Sequence, residues 1–140
     1  MLDYLKDLYA NNFPDKFLQE AFTQNENRNL AELGDSILDL VIYEYVYNLE
    51  EAKPKSLDKA RQNIAKNSDL KIILNRETAL KQYLRDKWRC SSPLKEFGKE
   101  RASAFLEAII GAIYLSYDLC EASRFIKRFF PLSKTHNSEH

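Results

Sequence analysis

The sequence is poor in residues that break helices and build turns. Its 140 residues include only three glycines and four prolines. Sandwiches, barrels and many-stranded sheets need turn residues wherever the chain reverses, so this scarcity disfavours them. No apolar run approaches the roughly 18 residues that a membrane helix needs. The hydrophobic fraction of 44% is enough to form one core. Together with the scarcity of turn residues and of long apolar runs, it predicts a mostly helical protein with no membrane segment.

Cysteine and histidine are also scarce. Cys90 and Cys120 lack the spacing of a disulfide framework or metal site, so we interpret them as reduced thiols of a cytoplasmic protein. Both histidines, His136 and His140, lie in a polar C-terminal tail, which leaves histidine-dependent nucleophilic catalysis without a base. The sequence also lacks a phosphate-binding loop, a dinucleotide-binding glycine motif and a zinc-ligand cluster.

Charge is balanced overall but unevenly distributed along the chain. Residues 1–51 carry 3 basic and 11 acidic side chains, for a net charge of −8. Residues 52–101 carry 14 basic and 6 acidic ones, for +8, and the remaining 39 residues are neutral overall. A basic block beside an acidic one can bind a polyanion with one part of its surface. The same distribution can also arise by chance in a helical protein, and charge alone leaves both interpretations open.

Apolar residues recur at helical spacing in seven segments, which predicts an all-α fold. The segments cover approximately residues 2–10, 14–23, 30–49, 57–74, 76–88, 100–117 and 119–130. Pro14 suits the first turn of the second helix, and a loop is expected around residues 90–93. We therefore predict one domain over residues 1–132, followed by a tail over residues 133–140.

Two of the three glycines lie inside the most apolar predicted helices, next to carboxylates. Gly34 precedes Asp35, and Gly111 follows Glu107 by one turn. A glycine inside a helix costs roughly 1 kcal/mol relative to alanine, and the usual reason for one is the close approach of another backbone. If the two helices pack together, Asp35 and Glu107 converge, and paired carboxylates suit a divalent cation such as magnesium. The alternative is that both acids are partly exposed and paired with a nearby lysine or arginine.

At these positions the chain resembles the ribonuclease III catalytic domain. Residues 30–40, Leu-Ala-Glu-Leu-Gly-Asp-Ser-Ile-Leu-Asp-Leu, are similar to the family's signature helix. Residues 105–115, Phe-Leu-Glu-Ala-Ile-Ile-Gly-Ala-Ile-Tyr-Leu, are similar to its second acidic helix, and residues 17–23 resemble its first helix. The three segments occur in the family's order over roughly residues 14–130. The resemblance implies an all-α, magnesium-dependent endonuclease domain that cuts double-stranded RNA as a dimer.

The chain departs from the family pattern at two of its four acidic positions. Ala31 and Ala104 stand where the family has carboxylates, whereas Asp35 and Glu107 match the other two. Glu32 is one residue away from the missing acid, and as the i,i+3 neighbour of Asp35 it is a further candidate metal ligand. The short Mini-III ribonucleases, which trim ribosomal RNA precursors, also have alanine at the position of Ala31. The rest of the motif is closer to ordinary ribonuclease III, so the subfamily stays open.

The resemblance implies that Asp35 and Glu107 are the catalytic acids, with Mg²⁺ (Mn²⁺ as an alternative) held by these two and by Glu32. Candidate RNA contacts come from the basic block: Lys59, Arg61, Lys66, Lys99 and Arg101. The implied activity is an endoribonuclease of ribosomal or other structured RNA maturation. The aromatic residues Tyr43, Tyr45, Tyr47, Phe105 and Tyr114 fit either a homodimer interface or an ordinary core. The alternative function is a catalytically reduced module that binds RNA or serves a structural role.

Overall fold

The computed structural model describes residues 1–23, 26–48, 58–59, 61–62, 66–88 and 99–132. The helices that we number in this part of the chain are α1 (Leu2–Tyr9), α2 (Lys16–Phe22), α3 (Arg28–Tyr47), α4 (Asn67–Arg76), α5 (Thr78–Trp88), α6 (Lys99–Ser116) and α7 (Leu119–Phe129). A short 3₁₀ helix, Ala10–Asn12, lies between α1 and α2. The described ranges contain no strand. The predicted all-α fold class is therefore confirmed.

Helix α6 lies at the centre of the fold. It packs most extensively against α3 and also contacts α2, α4 and α7. Its residues 108–113 are all buried, and Phe105 and Leu106 before them are buried as well. A helix that is apolar on nearly every side is expected where neighbours surround it. The partly exposed residues of its first half are Arg101, Ala104 and Glu107, so one narrow stripe of this central helix reaches the surface.

The two helical glycines lie where α3 and α6 approach each other. A Cβ added at Gly34 would overlap the carbonyl oxygen of Glu107 and stand 2.5 Å from its carbonyl carbon. A Cβ added at Gly111 would overlap the carbonyl oxygen of Leu30. Both glycines therefore let one backbone touch the other where a side chain would intervene, as their sequence positions predicted. The third glycine, Gly98, lies outside the described residues.

Two local predictions were wrong. Pro14 does not lie in the first turn of α2, because Asp15 is the N-cap and its carboxylate accepts a hydrogen bond from the Leu18 amide at 2.8 Å. The helix predicted over residues 57–74 is interrupted at Lys66, whose extended backbone (ψ 159°) precedes α4. The following residues, Asn-Ser-Asp, favour helix starts over helix interiors because their side chains compete for backbone hydrogen bonds.

Some predictions lie outside the described residues, namely the loop at residues 90–93 and the tail at residues 133–140. Cys90 lies there too, whereas Cys120 is a free, exposed thiol. None of the helices in the described ranges combines the length and apolar character that crossing a membrane requires.

Candidate active site

Asp35 and Glu107 meet at the contact between α3 and α6. The close backbone approach at Gly34 places the two carboxyl groups within hydrogen-bonding distance of each other. They differ in exposure, since the Glu107 side chain is 13% exposed and that of Asp35 is 49% exposed. The convergence expected from the sequence is therefore present, with one acid from each helix.

The electrostatics of this pair are asymmetric. Burial raises the pKa of Glu107 to about 8, and the neighbouring Asp35 carboxylate acts in the same direction. The hydrogen bond from Glu107 holds the pKa of Asp35 below its usual range, and the positive charge of Arg61 adds to this effect. Two carboxylates so close together cannot both ionise freely unless positive charge lies beside them. The pair therefore shares a proton or attracts a cation.

Arg61 brings one positive charge to the pair. Its guanidinium contacts Asp35 through Nη2 and Asp39 through Nε. The same Nη2 lies 3.5 Å from Glu107 Oε2. The alternative that the two acids pair with a nearby arginine is thus realised together with their convergence. Arg61, which we predicted to contact RNA, lies within the acidic site and its side chain is only 17% exposed.

A polar cavity of about 390 Å³ opens beside the two acids. Asp35 and Glu107 line it together with Glu32, and Ala31 and Ala104 lie in its wall. The candidate ligand Glu32 therefore does face this space, although it is exposed and pairs with Arg28 at 3.5 Å. The remaining lining residues are Asn27, Arg28, Glu100 and Ser103.

The residues present can be tested for their fit to a divalent cation. Within the part of the chain that the structure describes, no group of three or more His, Cys, Asp or Glu side chains is arranged to hold a metal ion. Magnesium, however, keeps several waters and is commonly held by only one or two carboxylates together with substrate phosphate oxygens. Two carboxylates at the edge of a polar cavity fit that requirement, whereas they would not make a closed protein-only site.

The other candidate RNA contacts lie in the segment before α4, at its N-cap and at the start of α6. Lys59 and Lys66 are exposed, and Arg101 is half-buried in the first turn of α6. Lys99 is the first residue of α6. Of the candidate RNA contacts, Arg61 contacts Asp35 and Glu107 of the acidic site.

Glu100 also lines the cavity, although it was not among the predicted site residues. Glu100 precedes Glu107 by seven residues, and Ser103 and Ala104 lie between them at helical spacing. This i, i+3, i+4, i+7 pattern places all four residues on one face of α6, although Ser103 itself is buried. The periodicity of α6 was therefore the signal that could have identified Glu100. The contact of Arg61 with Asp35 had no such signal, because 26 residues separate the two.

The aromatic residues divide between the core and the surface. Phe105 is buried, and Tyr43 and Tyr45 pack against the core. Tyr47 and Tyr114 are 78% and 37% exposed. Phe105, Tyr43 and Tyr45 therefore belong to the core or pack against it. The exposed Tyr47 and Tyr114 are compatible with an interface.

Comparisons with known proteins identify the fold and the family. The family model described as ribonuclease-III-like matches residues 16–132. A "Ribonuclease 3" from Hahella chejuensis is 37% identical over 106 residues, which cover 71% of this chain and 45% of that protein. A "Ribonuclease 3" from Syntrophomonas wolfei is 36% identical over 116 residues, covering 80% of this chain and 48% of that protein. The chain therefore spans about half the length of the curated relatives it matches.

A solved structure supports the same assignment at the level of the fold. The nuclease domain of ribonuclease III from Campylobacter jejuni, described for flexibility in a region involved in dimer formation, superposes with a TM-score of 0.66 at 24% identity. The match covers 96% of this chain and 98% of that domain. The family model matches most of the chain, and the two acidic helices agree with the family's motifs. The chain therefore belongs to the ribonuclease-III-like family.

Proposed function

We propose that this protein is a metal-dependent endoribonuclease that hydrolyses phosphodiester bonds of double-stranded RNA. The observation that carries the proposal is the convergence of Asp35 and Glu107 from two packed helices at the mouth of a polar cavity. Membership of the ribonuclease-III-like family supports the reaction class, and the relatives named "Ribonuclease 3" match over the segment that contains both acids.

In this proposal Asp35 and Glu107 hold Mg²⁺, or Mn²⁺ in its place, with Glu32 as a further ligand. When bound, the ion polarises a phosphate oxygen and lowers the pKa of the attacking water. The chain itself supplies fixed carboxylates, because the α3–α6 contact leaves little freedom to the backbone that carries them. Ala31 and Ala104 contribute no charge, so water and RNA phosphates complete the coordination.

The RNA contacts that we propose are Lys59, Arg61, Lys66, Lys99 and Arg101. They belong to the segment with an excess of positive charge. Duplex RNA is recognised mainly through its shape, phosphates and 2′-hydroxyls, so we expect little sequence discrimination. Maturation of ribosomal or other structured RNA precursors, in the cytoplasm, is the role that we propose for such an activity.

A second candidate is a catalytically reduced module that binds RNA without cutting it. It is favoured by the absence of acids at positions 31 and 104 and by the pairing of Arg61 with both remaining acids. Against it stands the retention of one acid on each of two packed helices, the minimum that can hold an ion between them.

Incubation of the protein with long double-stranded RNA and Mg²⁺ tests both candidates. We expect cleavage by the wild type and a loss of about 100-fold or more in the Asp35→Asn and Glu107→Gln variants, because each removes a charged metal ligand. Asp86→Asn is the matched control, since Asp86 is an exposed acid on α5 whose carboxylate accepts hydrogen bonds from Gln82 Nε2. Binding without cleavage by the wild type would support the reduced module, and cleavage by both variants would refute the metal site. Single-stranded RNA should remain uncut.

We also propose that the chain forms a homodimer. Exposed apolar side chains of α3 and α7, including Leu40 and Leu119, flank a groove of about 490 Å³. Burial of such side chains between two copies is favourable, and a shared interface would join two active sites in one particle.

A further inference from the structure

The guanidinium of Arg61 occupies a cation position within the acidic site. It contacts Asp35, Asp39 and Glu107, which come from α3 and α6. The side chain of Arg61 is 17% exposed, so its charge is largely withdrawn from water. A guanidinium keeps its charge at every physiological pH and presents several donors in one plane. It therefore acts as a permanent positive charge among three carboxylates.

The space for a further cation lies beside the acids and away from Arg61. Among the described residues, Asp35, Glu107, Glu32 and Glu100 line the polar cavity, whereas Arg61 and Asp39 are not part of its lining. Asp35 and Glu107 are thus shared between the guanidinium and the cavity. This arrangement resembles a site for two cations in which the protein itself supplies one of them.

The formal charges agree with this division. Three carboxylates contacting one guanidinium leave a formal charge of −2 when all are ionised, which a single divalent ion neutralises. Two-metal nuclease sites place their ions about 3.5–4 Å apart. Here a second metal ion would have to enter the position among Asp35, Asp39 and Glu107 that the guanidinium already fills, and the two positive charges would repel each other strongly. Ala31 and Ala104 also withhold the additional carboxylates that a second ion would need.

We propose that Arg61 takes the place of one of two cations, so that the site binds a single divalent ion on the side of the cavity. The inference rests on the proposed metal-dependent function and assigns Arg61 as a positioning residue that determines how many ions bind.

Isothermal titration of the full chain with Mn²⁺, without RNA, tests the inference. We expect the wild type and Arg61→Lys, which keeps the positive charge, to bind one ion per chain. Arg61→Gln should bind a second ion, because the competing charge is removed. Arg124→Gln is the matched control, since it removes an exposed guanidinium from its pair with Glu121 on α7 and should still bind one ion. Circular dichroism verifies that each variant is folded.

Two tight ions in the wild type would overturn the inference, and so would a folded Arg61→Gln variant that still binds one ion. A merely structural role for Arg61 would lower stability without adding an ion. If Arg61→Gln does not fold, the stoichiometries of the wild type and of Arg61→Lys decide. RNA cleavage is assayed separately. Cleavage by a protein that binds two ions would support the proposed function and contradict the one-ion inference. Binding of one ion without cleavage would support the inference and contradict the proposed function.

Discussion

Tyr9 has a buried hydroxyl in a short chain of hydrogen bonds that joins three helical segments. It donates to Ser116 Oγ at 3.0 Å, and Ser116 in turn donates to Asp15 Oδ2 at 2.6 Å. Tyr9 is 3% exposed, and burial raises its pKa well above the ordinary value of tyrosine. Asp15 also caps α2 through its other oxygen. One carboxylate therefore connects the ends of α1 and α6 to the start of α2.

Because the Tyr9 hydroxyl is buried, we expect the free energy of unfolding to fall at alkaline pH. The folded pKa of Tyr9 lies above the unfolded value of about 10, so its stabilising contribution is complete below pH ~10 and is lost as the pH rises further. The free energy of unfolding of the wild type should then fall more steeply than that of Tyr9→Phe, by up to about 1.4 kcal/mol per pH unit. Urea unfolding between pH 8 and 11, as approximate limits for this range, measures the difference. Tyr47→Phe, at an exposed position, should follow the wild type; parallel curves for Tyr9→Phe would contradict the prediction.

At the same scale, the two acids were predictable and their partner was not. Asp35 and Glu107 were identified because charge inside an apolar helix needs a reason, and a glycine beside each supplied one. The sequence around Arg61 had no comparable feature, because a basic residue in a basic segment is as compatible with an exposed surface as with a contact to buried acids. Sequence periodicity determines which side of its own helix a residue lies on. It does not determine which distant side chain it meets.

The contact between α3 and α6 depends on the missing side chain of Gly34. In an isolated helix, alanine would be favoured over glycine by about 1 kcal/mol. Here its methyl group would overlap the backbone of Glu107, and backbone cannot rotate aside as a flexible side chain can. The steric cost therefore exceeds the gain in helix propensity.

We expect Gly34→Ala to lower the free energy of unfolding by about 3 kcal/mol or more, since α3 and α6 must separate to admit the methyl group. Chemical denaturation followed by circular dichroism measures the change. Ser36→Ala is the matched control, because Ser36 is an exposed position two residues further along α3. That variant should be neutral or slightly more stable. Equal stability of Gly34→Ala and the wild type would show that the helices tolerate a wider separation.

The elements themselves were largely predictable from apolar spacing, and their ends were not. The break at Lys66 illustrates the reason. The apolar periodicity continues through Leu70 and Leu74, which are both fully buried in α4, and so it predicts one long helix. The backbone is extended at Lys66, at a point where the sequence continues with Asn, Ser and Asp, residue types that favour the start of a helix over its interior. Periodicity reports burial, whereas helix ends depend on local hydrogen bonds.

For the whole molecule, the uneven distribution of charge has a different meaning once the site is described. The acidic segment contributes Asp35 and Asp39, two of the three carboxylates around Arg61. The basic segment contributes Arg61 to the site and leaves Lys59 and Lys66 exposed. The net charge of zero is therefore the sum of an acidic site and of a basic segment whose exposed lysines can contact an anionic surface.

The affinity for duplex RNA should consequently depend strongly on salt. We expect the slope of log affinity against log salt concentration to become shallower by about 1 for each lysine removed in Lys59→Ala and Lys66→Ala, because each releases one phosphate contact. Filter binding or fluorescence anisotropy at several salt concentrations, in Ca²⁺ to prevent cleavage, measures the slope. Lys6→Ala, which removes an exposed lysine of the acidic segment, should leave it unchanged. An unaltered slope in both variants would exclude these lysines from the RNA interface.

The groove between α3 and α7 provides the corresponding prediction for assembly. Leu40 and Leu119 are 49% and 39% exposed at this groove, which leaves apolar surface in water unless a second copy covers it. We expect light scattering to give twice the mass of one chain for the wild type and the mass of a monomer for Leu40→Glu, because a buried unpaired carboxylate opposes association. Ile72→Glu, an equally exposed position on α4 outside the groove, should remain dimeric. If Ile72→Glu gave monomers and Leu40→Glu stayed dimeric, the prediction would be wrong. The interface would then involve α4 and not α3, the helix that carries Asp35.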